Sequence, residues 1–268
     1  MAPGDYSLIN MTCKEIIYKN IGETPLEALE RFRLGQIEKA VDSASKKEWV
    51  DVPMTYAGRL DPLAEGELLI LIGDECKNKE KYLGLDKEYE VEVLFGVETD
   101  TYDALGLATK KSDILKDSDA TLDQLDLTKY VGTFTQEYPP YSSRTVDGVA
   151  LHELARTDKL PEEMPTKEVT IYENEELKRE QMTGFDLEAR IVDMIDLVKG
   201  DFRQDEIRQR WQEVLDDGVS GNEPFEVVTI RVKCSSGTYM RSLAHRMGKD
   251  LGVGAIALKI KRTKIFLE

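Results

Sequence analysis

Two kinds of apolar spacing alternate along this chain and sort it into strands and helices. Between Lys87 and Phe95 the period is two: Tyr89, Val91, Val93 and Phe95 fall on one face, and Glu88, Glu90 and Glu92 on the other. That is the pattern of a strand buried on one side. Val228, Ile230, Val232 and Cys234 alternate in the same way with Thr229, Arg231 and Lys233, which predicts a second strand with a polar, basic face. Leu68 to Ile72 is apolar without interruption, as in a buried strand.

Helical spacing frames these strands. Thr24-Pro25-Leu26-Glu27 combines a capping hydroxyl, a proline suited to the first helical position and a capping-box glutamate, and Leu26, Leu29 and Phe32 then share a face. Met240, Leu243, Ala244, Met247 and Leu251 recur on one face of a helix that Gly252 stops. Arg241 lies in its first turn, off that stripe, where an arginine is ordinarily solvated. Glu75 to Tyr82 reads as a short charged helix, Glu168 to Tyr172 as a strand and Gly218 to Pro224 as a loop. Phe202 to Leu215, with Ile207, Trp211, Val214 and Leu215, reads as an amphipathic helix. Lys110 to Tyr130 is polar and acidic, with a helical patch around Leu122 and Leu125.

Length and charge narrow the picture. The 268 residues suffice for one large domain or two modest ones. Thirty-six basic against 52 acidic residues give −16, which taken whole argues against a nucleic-acid binder. The distribution points the other way. From Thr229 to Lys264 nine basic side chains oppose Asp250 alone, a local +8, so the remainder carries −24 and the two sum to −16. A basic face on an acidic body is expected. Cys13, Cys76 and Cys234 form no CxxC pair, which predicts a reduced, cytoplasmic setting and no zinc site. His152 and His245 are too few and too far apart for a metal centre. No signal sequence or membrane-spanning run is seen, and no P-loop, G-x-S-x-G or H-E-x-x-H motif.

The chemistry concentrates in Tyr56-Ala57-Gly58-Arg59-Leu60-Asp61-Pro62-Leu63-Ala64-Glu65-Gly66. Pro62 keeps Asp61 out of helix, and Gly58 and Gly66 bracket it with backbone freedom. The loop runs straight into the apolar strand, so one carboxylate is offered from a constrained position, as positioned catalysis requires. An Asp-Pro turn is also a common connection.

The wording of this stretch resembles the catalytic motif of the TruB/Cbf5 family of RNA pseudouridine synthases, G-x-L-D-P-x-A-x-G-x-L, at Gly58, Leu60, Asp61, Pro62, Ala64, Gly66 and Leu68. Lys19 to Thr24 resembles the family's K-P-x-G-x-T with Asn20 for proline, and Lys87-Glu88-Tyr89 its K-x-Y. Gly96 and Thr99 to Gly106 resemble G-x-x-T-D-T-x-D-A-x-G. Gln136 to Gly148 resembles Q-x-P-P-x-Y-S-A-x-K-V-x-G, with the prolines displaced by one and Thr145, beside Arg144, at the lysine. Cys234 to Arg241 closely follows C-S-K-G-T-Y-I-R, and Gly252 to Thr263 follows G-x-G-A…L-x-L-R-R-T. The likeness covers most of Lys14 to Ile265, and the family runs more directly between its strands where this chain has residues 175–225. The family has histidine where Tyr56 stands.

This resemblance implies an α+β fold, with a mixed, largely antiparallel central sheet flanked by helices and an RNA-binding cleft. It implies one catalytic domain over 1–268, a thumb-like loop near 107–145, a surface insertion near 175–225, and no C-terminal PUA domain after Glu268. The implied activity isomerises uridine to pseudouridine, at uridine 55 in the T-arm of tRNA, by a monomer needing no cofactor or metal. Asp61 would be the nucleophile on a flipped-out base, Arg241 would keep it ionised and aimed, and Tyr89 would stack on the base. Tyr56, Arg59, Leu60, Asp100, Arg144, Ile260, Lys261 and Arg262 would contact substrate, Leu60 and Ile260 by excluding water. The basic segment Arg231 to Lys264 would hold phosphate, and the Ser235–Thr238 turn offers a further phosphate seat. A non-catalytic RNA-binding or tRNA-folding factor on the same fold is the alternative, in keeping with Tyr56 and the acidic total. An acidic protein-binding module would leave the basic tail unexplained.

Overall fold

Apolar faces pair across strands, and those pairings set the order of one large sheet. A computed structural model describes residues 13–111, 122–215 and 224–267. The first part comprises β1 (Cys13–Lys19), α1 (Pro25–Lys39), α2 (Ser43–Asp51), β2 (Met54–Ala57) and β3 (Ala64–Ile72). Then come α3 (Lys79–Leu83), β4 (Lys87–Phe95), β5 (Val97–Thr99), β6 (Ala108–Lys111), β7 (Gly132–Glu137), β8 (Thr145–Val146) and β9 (Val149–Ala150). The rest is α4 (Leu151–Arg156), β10 (Thr166–Met182), α5 (Gly184–Asp196), α6 (Gln204–Leu215), β11 (Phe225–Cys234), α7 (Met240–Leu251) and β12 (Ala255–Ile265).

Among the described residues eight strands form the main sheet, in the order β1-β3-β12-β4-β11-β10-β7 with β2 also on β3. Every pairing is antiparallel except β12 with β3, so the fold is mixed α+β, as the resemblance implies. In the centre Tyr89 lies opposite Val232, Val91 opposite Ile230 and Val93 opposite Val228. These same-face pairs pack beneath Met240, Leu243, Ala244 and Met247 of α7. The capping box at Thr24 and Glu27 forms at the start of α1, whose Ala28 and Leu29 cover Leu68 and Ile70 of β3.

The stretch near 175–225, expected as an insertion packed on the catalytic domain, packs its apolar side on the sheet and extends it. β10 runs on to Met182 and pairs with β11 as far as Phe225. Leu187 and Ile191 of α5 and Ile207 and Trp211 of α6 pack on Leu94, Val227, Ile256 and Leu258, the sheet face away from α7. Trp211 is fully buried, and its indole N–H donates to the Ala104 carbonyl at 3.1 Å. An amphipathic helix presents the same pattern over a surface or a core. The second apolar face of the sheet decides which.

The expected basic face also resolves differently. Glu88, Glu90 and Glu92 of β4 have Lys233, Arg231 and Thr229 opposite them on β11, and Lys264, Lys261 and Lys259 on β12. Arg231 reaches Glu175 at 2.6 Å, Lys233 reaches Glu173 at 3.4 Å and Lys259 reaches Glu65 at 2.9 Å. Arg231, Lys233 and Lys259 thus answer acidic side chains on neighbouring strands, which takes them out of a free phosphate-binding surface.

The thumb-like loop is described only in part, since residues 112–121 lie outside the described residues. So does most of the loop expected over Gly218 to Pro224. None of the described helices is long and apolar enough to cross a membrane.

Candidate active site

The Asp61 loop is held by its backbone. Gly58 takes a left-handed φ of +80°, and the Ala64 N–H donates to the Asp61 carbonyl at 3.0 Å, closing a tight turn before β3. Two fully buried cations grip the turn through carbonyl oxygens. Lys19 Nζ donates to Ala64 at 2.5 Å, Asn20 at 3.0 Å and Pro62 at 3.4 Å. Arg262 donates from Nε to Glu67 at 2.6 Å, from Nη2 to Gly58 at 3.2 Å and from Nη1 to Arg59 at 3.5 Å. Burial pushes the Lys19 ammonium down to about 8. At Gly66 a Cβ would lie 2.1 Å from the Arg262 carbonyl, so only glycine lets β12 approach β3 here.

Arg241 meets this loop across 180 residues of chain. Its Nε donates to Asp61 Oδ2 at 2.8 Å, Nη1 to the Thr101 carbonyl at 2.9 Å and Nη2 to the Tyr141 carbonyl at 3.1 Å. All three nitrogens are engaged, which fixes the plane of the guanidinium. An arginine off the α7 stripe is ordinarily solvated, but Arg241 is 3% exposed, because the Thr101 loop and the Tyr141 segment cover that side of the helix. Asp103 Oδ2 lies 3.6 Å from the same Nε. Its carboxylate accepts from Thr101 Oγ1 at 2.7 Å and from the Leu105 N–H at 3.0 Å. Burial pushes the Asp103 carboxyl up to about 6, although Arg241 pulls it down.

Asp61 and Arg241 line a cleft of about 740 Å³. Leu60, Tyr89, Met240 and Ile260, all buried, give it apolar walls. Burial raises the Tyr89 hydroxyl above its ordinary range. Tyr239 stands close to Asp61, and burial pushes its hydroxyl up to about 12. Tyr56 lines the cleft half-buried, with Lys79 Nζ 5.3 Å from its ring centre. Exposed Arg59 lies at the same opening. Of the expected site residues, Asp61, Arg241, Tyr89, Tyr56, Arg59, Leu60, Ile260 and Arg262 therefore converge.

Three do not. Lys261 points to the opposite sheet face, because side chains alternate along β12. Asp100 accepts from the Leu107 N–H at 2.7 Å and from Arg203 Nη1 at 2.9 Å, so it organises its own loop. Arg144 is exposed beyond the lining residues, over the Tyr138 ring at 5.4 Å. Arg262 lines the cleft and directs its donors to carbonyls, so in this structure it clamps the Asp61 loop. The Ser235–Thr238 turn, expected as a phosphate seat, lines the cleft through Ser236, Gly237 and Thr238. Ser235 Oγ accepts from the Thr170 N–H at 2.8 Å, and the Tyr239 N–H donates to Gln136 Oε1 at 2.8 Å.

Lys19, Lys87, Asp103 and Tyr239 were not singled out by sequence. Lys87 donates to the carbonyls of Leu83 and Leu85, and burial pushes its ammonium down to about 8. All four lie inside motif-like stretches, but nothing local marks a lysine or aspartate as buried.

An acid held by a buried arginine in an apolar-walled cleft on a mixed sheet presents one positioned carboxylate to whatever enters the cleft. The family model described as "TruB family pseudouridylate synthase (N terminal domain)" matches residues 50–193, and the chain belongs to that family. It is 31% identical over 235 residues to tRNA pseudouridine synthase B of Francisella tularensis subsp. novicida (strain U112), covering 85% of this chain and 63% of that protein. It is 30% identical over 212 residues to tRNA pseudouridine synthase B of Aquifex aeolicus (strain VF5), covering 78% of this chain and 58% of that one. The chain thus spans about three-fifths of the length of these curated relatives. A chain of "Crystal Structure of a Cbf5-Nop10-Gar1 Complex" superimposes with a TM-score of 0.52 at 17% identity, over 96% of this chain and 49% of that one. That is a likeness of fold.

Proposed function

We propose that the protein isomerises uridine to pseudouridine in tRNA, at uridine 55 of the T-arm, within a single catalytic domain. The observation that carries this reading is the Asp61 carboxylate, 2.8 Å from buried Arg241 and open to an apolar-walled cleft. In this isomerisation the N1–C1′ bond breaks, a C5–C1′ bond forms, and the C5 proton is lost while N1 gains one. Atoms and electrons balance without any redox partner. Asp61 acts as the nucleophile, at the sugar C1′ or the uracil ring, or removes a sugar proton. Arg241 aims it. Tyr89 stacks on the extruded base, while Leu60 and Ile260 keep water out. Arg59 and Tyr56 meet the RNA at the mouth. Incubation with an unmodified tRNA transcript, followed by mapping of pseudouridine, tests the reading. No pseudouridine at any position would refute it.

Tyr56, in place of the family's histidine, favours one second reading. A tRNA-folding factor that binds without turnover would show affinity for the transcript and no isomerisation in that same experiment.

A further inference from the structure

The connection between α5 and α6 reaches the cleft. Phe202 and Arg203 line the same cavity as Asp61, yet they belong to the stretch with no counterpart among the family-like motifs. Arg203 takes a φ of +63°, a left-handed conformation that a long side chain rarely adopts without a reason. Its guanidinium sits 4.8 Å above the Tyr141 ring, and Nη1 donates to Asp100 Oδ2 at 2.9 Å. Its other side-chain N–H groups have no partner among the described residues. Arg156, also lining the cleft, donates to the Asp201 carbonyl at 3.3 Å and ties this connection to α4. The Tyr141 carbonyl, in turn, accepts from Arg241 at 3.1 Å. Arg203 therefore rides on the segment that positions the acid–arginine pair.

Arg231, Lys233 and Lys259 on β11 and β12 are answered by glutamates, whereas Arg203 keeps donors open inside the cleft. We propose that Arg203 is a substrate-contacting residue that receives a backbone phosphate beside the target uridine. The helical stretch between β10 and β11 thereby adds an RNA subsite to the cleft. This rests on the RNA-modifying reading above. A guanidinium stacked on an aromatic ring keeps its edge donors for phosphate oxygens, and its planar fork suits them. The Asp100 contact holds it in place before RNA arrives, which lowers the ordering cost of binding.

The test compares Arg203→Ala with Arg208→Ala, which removes the same charge from the outer side of α6, where Arg208 pairs with Asp196 and Asp205. Affinity for an unmodified tRNA transcript is measured over a range of salt, with pseudouridine formed in the same transcript. Arg203→Ala should weaken binding about tenfold at low salt. It should also reduce the slope of log affinity against log salt by about 0.7–0.9, one phosphate's share. Arg208→Ala should change neither. If Arg203→Ala does not fold, Arg203→Gln carries the same comparison. An unchanged slope, or equal losses in the Arg203 and Arg208 variants, overturns the proposal and leaves Arg203 as a brace for Asp100. A reduced slope without pseudouridine in the wild type would sink the isomerase reading while sparing this one. Absence of tRNA binding by the wild type overturns both.

Discussion

Asp103 Oδ2 lies 3.6 Å from the same Arg241 Nε that donates to Asp61 Oδ2 at 2.8 Å. One guanidinium answers two carboxylates that differ in access: the Asp103 side chain is 11% exposed and that of Asp61 37%. The buried acid balances charge, and the open one faces the cleft.

Asp103 should therefore set a pH limb. Burial pushes its carboxyl up to about 6 from an ordinary 3.8. Once it is protonated, Arg241 balances Asp61 alone, holds it more tightly and weakens it as a nucleophile. Turnover should fall as pH drops through about 6, and Asp103→Asn should turn over slowly without that step. The folded state binds the extra proton between about 3.8 and about 6, so stability should decline as pH rises through this window. Single-turnover rates and urea unfolding across the window check both. An unchanged limb in the variant would remove Asp103 from this role.

Asp61→Asn should abolish isomerisation while RNA affinity survives, since charge is lost but shape is kept. Arg241→Lys should cut turnover by at least about 100-fold, because one ammonium cannot meet Asp61 and the carbonyls of Thr101 and Tyr141 together. It should also cost about 1–3 kcal/mol of stability through the buried carbonyls left unmet. Equal losses of binding and turnover would instead mark Arg241 as a phosphate contact.

Arg262→Met separates a clamp from an RNA contact. Loss of the bonds to the Glu67, Gly58 and Arg59 carbonyls should destabilise the fold by about 2–4 kcal/mol. The salt dependence of tRNA binding should stay as in the wild type. A slope reduced by one phosphate would restore Arg262 to the RNA-binding set.

Tyr56 is expected to act through its ring. Tyr56→Phe should be nearly silent, and Tyr56→Ala should cost about 1–3 kcal/mol in the interaction with the RNA loop. If the hydroxyl matters, both variants fail together. If Tyr56 only fills space beside α1 and α2, alanine lowers the melting temperature and spares the rate of the folded fraction.

The strands β4 and β11 were legible because a period of two is imposed locally by the backbone, residue by residue. The start of α1 was legible for the same reason: Thr24 and Glu27 satisfy N–H groups within one turn. The wording around Asp61 and Arg241 also stood out in the chain itself. What those side chains touch did not. A lysine on β11 reads alike whether it faces solvent or a glutamate on the neighbouring strand, and the register of β10 with β11 decided that. Arg241 was off its helix's apolar stripe, yet a loop 140 residues away buried it. Arg262 resembled a phosphate ligand until the carbonyls of the Asp61 turn came within its reach. Local backbone geometry writes its period into neighbouring residues. The neutralisation and burial of a charge depend on groups brought from distant parts of the chain, so only the tertiary structure could decide them.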